Sequence, residues 1–216
     1  MKLLVFNGWA AGYEAWDLCT FAHDWLFDYV EQLDGIPEQV IADSDEVVLV
    51  GFSMGGSSAL RMYLKFPEKV KGLVLVSTTP CMMGGGELEK RVGVGQWKGM
   101  SERRLAALKL GTEMMFKDDP SPMYDPVNMN RGLDYLRETD LRAALLATKP
   151  DPAMPVFVFQ SEKDGIVRPG NAAFLKRVFP EAEVTMVPGG EHVLPVTIPE
   201  RIDAAVAKVL ERLNRT

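Results

Sequence analysis

Val47-Val-Leu-Val-Gly51-Phe-Ser53-Met-Gly55-Gly56-Ser-Ser-Ala-Leu60 is the stretch that decides the fold. It opens on an apolar run without alternation, which is how a strand buried on both faces reads. A G-x-S-x-G turn follows at Gly51–Gly55, and small residues then lead into a helical pattern over Ser57–Phe66. Strand, sharp turn and helix in that order form a nucleophile elbow, in which the turn holds a serine in a strained backbone conformation. The flanking glycines permit close approach of helix to strand. The helix start adds unpaired N–H groups and a partial positive charge beside Ser53. An ordinary tight turn with a helix-capping serine is the plainer alternative.

Working outward, similar apolar runs recur at Lys2–Phe6, Glu46–Val50, Gly72–Ser77, Pro155–Phe159 and Glu183–Val187. Each is read as a strand of a parallel sheet buried on both faces. Helical patterns lie between them, including Asn171–Phe179 and Ile202–Leu213, and Trp25–Val30 reads as one further strand. Alternating strands and helices predict an α/β fold with a mostly parallel sheet and helices on both faces. Residues 81–150 break the rhythm. They hold Gly84-Gly85-Gly86, helical stretches at Glu102–Leu110 and Arg131–Ala147 and a proline-rich break at Asp119–Pro126, but no strand pattern. Some 70 residues between two strands are too many for a simple loop. The expectation is a core made of residues 1–80 and 151–216, with 81–150 inserted as a helical lid over the strand ends.

Composition excludes several classes. The 216 residues are 47% hydrophobic and 25% charged, with 19 Gly and 14 Pro, inside the globular range. No apolar run is long enough to cross a membrane as a helix. The Leu-Leu-Val-Phe run after Lys2 is too short for a signal-peptide core. A net charge of −6 argues against nucleic acid as a partner, since phosphate contacts need a basic surface. The charge is uneven: residues 1–50 carry −9, whereas residues 81–150 carry +1. Cys19 and Cys81 have no metal-ligand spacing and are expected as reduced, mostly buried thiols of a cytoplasmic protein.

In a parallel sheet, ligands bind beyond the C-terminal strand ends, so the chemistry is sought there. A serine hydroxyl needs a base. Of the two histidines, His192 follows the last strand in Gly189-Gly190-Glu191-His192-Val193, whereas His23 sits in an aromatic segment. His192 is therefore the candidate base. An acid must fix the imidazole tautomer. Asp164, in Ser161-Glu162-Lys163-Asp164-Gly165, is preferred because Gly165 allows a sharp turn, and Glu162 stays open as the rival. An oxyanion forming on an acyl carbonyl needs donors. The main-chain N–H of Met54 is one, and that of Trp9, in Asn7-Gly8-Trp9, is the second.

The set Asn7-Gly8-Trp9, Gly51–Gly56, Glu162–Val167 and Gly190–Pro195 resembles the α/β-hydrolase superfamily across nearly the whole chain, with Ser53, Asp164 and His192 in its order. Within it, Gly8-Trp9, Ser77–Cys81, Gly132–Leu136 and Asp140–Arg142 resemble the carboxylesterases of biotin synthesis that cleave pimeloyl-acyl-carrier-protein methyl ester. The resemblance implies Ser53 as nucleophile, His192 as base, Asp164 as orienting acid, and Trp9 and Met54 as oxyanion donors. Asn7 departs from it, standing where many relatives have His. The chain also begins at what would be the third strand of the superfamily sheet.

Seven of the twelve methionines lie in residues 81–150. With Trp97 they either line an adaptable apolar substrate pocket or form the lid's own core. Arg137 and Arg142, with Arg103, Arg104 and Arg131, either hold an acidic carrier protein or substrate anion, or form a solvated helix face. The resemblance implies a lid that meets an acyl carrier protein, which fits the first, whereas a lid net charge of only +1 fits the second. The resulting expectation is a serine carboxylesterase acting on an acyl ester through an acyl-enzyme, with no metal or organic cofactor. A carbon–carbon hydrolase or lyase on the same fold, and a non-catalytic binding module, are the rivals.

Overall fold

Strands β1 (Lys2–Phe6), β2 (Trp25–Phe27), β3 (Val47–Phe52), β4 (Val70–Val76), β5 (Val156–Ser161) and β6 (Glu183–Val187) form one sheet in the order β2-β1-β3-β4-β5-β6. Every pairing is parallel. These elements come from a computed structural model, which describes residues 1–84, 100–116 and 121–215, the side chains of residues 113 and 116 aside. The register places Trp25, Leu4, Leu49, Leu73 and Val156 in one row across the sheet.

Alternate rows feed opposite cores. One face carries Leu4, Phe6, Leu49, Leu73 and Leu75 against helices α2 (Ile36–Ala42), α3 (Met54–Lys65) and α7 (Gly170–Val178), through Ile41, Leu60, Met62 and Phe174. The other carries Leu3, Val5, Val48, Val50, Val74 and Val76 against Trp16, helix α8 (Leu194–Thr197) and helix α9 (Pro199–Asn214), through Leu194, Ile202, Val206 and Val209. Central strands coated on both sides explain why their sequences show no polar alternation. β6 differs from the expectation. As an edge strand it is only partly buried, and Met186 is exposed.

Two further expectations change in detail. The strand read over Trp25–Val30 ends at Phe27, because Asp28 caps helix α1 (Tyr29–Leu33). Its carboxylate accepts from the Glu31 N–H while the Glu31 side chain accepts from the Asp28 N–H, a reciprocal cap that stops the strand. Between β4 and β5 lie helices α4 (Glu102–Phe116), α5 (Pro126–Glu138) and α6 (Arg142–Ala147). The single helical stretch read over Arg131–Ala147 is therefore two helices. The break at Thr139–Leu141 is held by a bridge between Asp140 and Cys81 and by the Leu141 N–H donating to the Pro80 carbonyl.

Cys19 and Cys81 are both free thiols. Burial, then the nearby Asp203 and Glu200 charges, push Cys19 up to about 12, and burial also raises Cys81. A raised pKa starves each site of reactive thiolate at neutral pH. Iodoacetamide at pH 8 is thus expected to label the native protein at least about tenfold more slowly than it labels the urea-unfolded chain. Mass spectrometry of the alkylated protein checks this, and equal rates would contradict it.

Candidate active site

The elbow serine sits where β3 meets α3. Ser53 has φ 55° and ψ −119°, a conformation L residues rarely adopt, and it persists because its surroundings over-determine it. Its N–H donates to the Val76 carbonyl (2.9 Å). A Cβ on Gly51 would stand 2.6 Å from Gly56 Cα, and one on Gly55 would overlap the Phe6 and Asn7 carbonyls. Only hydrogen at these positions lets α3 start hard against β1 and β3.

Three loops at the carboxyl end of the sheet converge on Ser53. His192 Nε2 lies 2.9 Å from Ser53 Oγ, and His192 Nδ1 lies 2.8 Å from Asp164 Oδ2. Asp164 is fully buried, and its Oδ1 accepts from the Ile166 and Val167 N–H groups at 2.8 and 3.0 Å. Gln160 donates to its Oδ2 at 3.4 Å. The rival acid Glu162 is exposed to solvent. His23 is also exposed and precedes β2 at the opposite end of the sheet. The His192 ring packs on Phe52 with centroids 5.3 Å apart.

The His192 loop has a brace that the sequence did not advertise. Ser77, buried with φ 47°, donates its hydroxyl to the His192 carbonyl at 2.8 Å. The loop after β1 has another. The Asn7 amide is fully buried and spends its whole bonding capacity within the loop. Its Nδ2 donates to the Ala11 and Gly12 carbonyls, both at 2.8 Å. Its Oδ1 accepts from the Gly8 N–H at 2.9 Å and the Trp16 indole at 3.2 Å. Asn7 and Ser77 entered the sequence reading as members of the Asn7-Gly8-Trp9 and Ser77–Cys81 segments, which gave no sign of these bracing bonds. A Cβ on Gly8 would lie 3.3 Å from Ser53 Cβ, so the loop runs beside the elbow. Among the described residues, the N–H groups of Trp9 and Met54 donate to no protein acceptor.

An apolar cluster covers this end of the sheet. Met54, Met82, Met129, Tyr29 and Val167 are buried in it, with Trp9, Met100 and Met123 packed at its border. Met114 and Met115 instead point to solvent, so the methionines divide between a buried cluster and the surface. The arginines divide too. Arg142 is a buried residue forked on Asp140, with Nε and Nη2 at 2.8 and 2.7 Å from its two oxygens. Burial alone would raise the Asp140 pKa, but these bonds outweigh it and hold it below the usual range. Arg142 therefore shores up the α5–α6 break and presents no surface charge, contrary to the docking role expected of it. Arg137 is half-exposed between Asp134 (3.2 Å) and Glu138 (3.0 Å). Trp97 lies outside the described residues. Among the described residues no group of three or more His, Cys, Asp or Glu side chains could hold a metal.

The Alpha/beta hydrolase family profile matches residues 6–207. The chain belongs to that family. It is 30% identical over 187 residues to a protein of Yersinia enterocolitica called pimeloyl-[acyl-carrier protein] methyl ester esterase, covering 78% of this chain and 71% of that one. A Klebsiella pneumoniae protein of the same name is 26% identical over 224 residues, covering 88% and 86%. Among solved structures, a hydrolase from Oleispira antarctica superposes with a TM-score of 0.71 at 15% identity, over 97% of this chain and 90% of that one. That likeness speaks for the fold. In the hydrolase family frame, the Asn7 network gives a direct expectation. Asn7→Asp keeps the shape but sets a carboxylate oxygen against the Ala11 and Gly12 carbonyls. It is expected to cost about 1–3 kcal/mol in a urea titration, and to slow fluorophosphonate labelling of Ser53 at least about tenfold. Unchanged labelling would show that the amide does not shape the site.

Proposed function

We propose that the protein is a serine carboxylesterase whose substrate is an acyl ester carried on an acyl carrier protein. The observation that carries the chemistry is the continuous line Ser53–His192–Asp164, closed by 2.9 and 2.8 Å contacts beside two unspent N–H groups. In this reading Ser53 Oγ attacks the acyl carbonyl as His192 Nε2 takes its proton. The negative charge that forms on the carbonyl oxygen is met by the N–H groups of Trp9 and Met54, which the folded chain has left without acceptors. Asp164, bonded to Nδ1, fixes the tautomer and stabilises the imidazolium. The imidazolium then protonates the departing alcohol. Water repeats the cycle to free the acid, and no other group is needed in the sequence of steps.

The acyl chain would lie in the methionine-lined cluster, where flexible side chains suit a flexible chain. Residues 81–150 would serve as its lid. The carrier follows from the relatives' names and from charge at the rim. Arg103 and Arg104 are exposed on α4, and Arg104 reaches the Gly165 carbonyl at 3.5 Å, beside the Asp164 loop. Guanidinium groups in that position suit an acidic carrier.

Two experiments test this. With p-nitrophenyl esters of two to ten carbons, the wild type is expected to turn over each and to prefer medium chains. Ser53→Ala is expected to lose at least about 1,000-fold in kcat. Activity that survives the serine change would overturn the mechanism. An intact fold with turnover but no fluorophosphonate inhibition would favour carbon–carbon or lyase chemistry. Second, Arg103→Glu with Arg104→Glu is expected to raise KM for a carrier-linked ester about tenfold at low salt, and less as salt rises. Equal KM values for wild type and double variant on the carrier-linked ester would remove the carrier from the reading.

A further inference from the structure

Helix α5 meets the loop after β1 at one point of contact without slack. Gly132 on α5 lies against the Trp9 ring. A Cβ at 132 would overlap Trp9 Cδ1, stand 2.9 Å from Nε1 and come within 3.3 Å of Tyr29 Cδ2. The indole N–H donates one turn earlier on the same helix, to the Met129 carbonyl at 2.9 Å. One tie on the helix and one just before it flank this contact: Arg131 on α5 pairs with Asp34 at 2.6 Å, and Tyr29 donates its hydroxyl to the carbonyl of Met123, in the segment leading into α5. The indole is therefore clamped between a helix backbone and its own loop.

The clamp matters because of what the loop lacks. The Asn7 amide fixes Gly8, Ala11 and Gly12. The two residues between have no such anchor. Among the described hydrogen bonds, Trp9 makes only the indole bond to Met129 and Ala10 makes none. Ala10 sits at φ 51°, a strained value that some outside constraint must maintain. With both ends of the loop pinned and its middle unbonded, the orientation of the Trp9 peptide is set by where its ring is seated.

We infer that Gly132 is a positioning residue for the reaction: the flat seat it offers the Trp9 ring sets the direction of the Trp9 N–H, so docking of α5 and completion of the oxyanion site are one event. This rests on the reading of that N–H as an oxyanion donor. A glycine in mid-helix costs roughly 1 kcal/mol relative to alanine, and the ring seat is what that cost secures.

The test is a kcat-against-KM comparison on p-nitrophenyl acetate and octanoate. The acetate is too short to feel the apolar cluster. Gly132→Ala pushes the ring and is expected to lower kcat about 10- to 100-fold on both esters, with KM changed less than about threefold. Should Gly132→Ala fail to fold, Trp9→Leu serves instead: it empties the seat with no clash, and the same kcat loss on both esters is expected. A Gly132→Ala response confined to KM for octanoate would overturn the inference, as would full acetate turnover by Trp9→Leu. Those outcomes leave the esterase reading intact, because wild-type turnover and fluorophosphonate labelling stand apart from them. A wild type inert to both esters would overturn the two together.

Discussion

The turn at Ser53 is the constraint on which the rest depends. A residue with φ 55° between a strand and a helix has no local reason to exist. It is imposed by packing: β3 is gripped by β1 and β4, and α3 starts so close to its neighbours that a Cβ on Gly51 would meet the first turn of α3, one on Gly55 the end of β1 and one on Gly56 the Thr78 side chain after β4. A strained residue costs of order 1–3 kcal/mol, which a sheet buried on both faces can absorb. In return the hydroxyl stands clear of the sheet, at the start of a helix whose first N–H groups are unspent. Relaxing the turn would put Oγ back among the carbonyls and separate it from His192.

Strain is not confined to that turn. The three non-glycine residues with positive φ among the described residues are Ala10, Ser53 and Ser77. They follow β1, β3 and β4, three adjacent strands of the sheet. Each lies beside one part of the candidate site: Ala10 next to Trp9, Ser53 at the elbow itself, and Ser77 against the His192 carbonyl. The distortions therefore mark the site independently of any motif. Below them the strand rows are buried and almost wholly aliphatic. The scaffold has to outweigh the conformations it imposes at its rim.

What could be read from the sequence follows the same division. The strands were legible because their burial removes alternation, and Ser53, His192 and Asp164 because each follows one of them. Edges were less legible. The strand at Trp25 is cut short by a side-chain cap at Asp28, and β6 looks apolar although one of its flanks is open to solvent. Arg142 was misread as a surface cation since a buried ion pair and a docking charge have the same composition. Only the chain path, which brings Asp140 against Cys81, separates them. Ser77 was invisible for a deeper reason: its partner is a backbone carbonyl 115 residues away, and backbone carbonyls leave no trace in composition.

The polar support of the site is built largely from neutral amides. Asn7 shapes the loop after β1. Gln32 donates to the carbonyls of Asn7 and Phe27 at 2.9 and 3.1 Å, joining the ends of β1 and β2 near the edge of the sheet. Gln160 donates to the Val167 carbonyl at 3.0 Å and touches Asp164, joining the two halves of the acid loop. All three are buried. An amide can satisfy backbone groups in the interior without the desolvation cost of a charge. It also adds no net charge to a region where the Asp164 carboxylate stands 2.8 Å from the His192 ring. Had Asn7 been histidine, a second ring able to titrate would sit in the loop beside Ser53. With an amide there, the loop holds its donors and acceptors without a titratable ring beside Ser53.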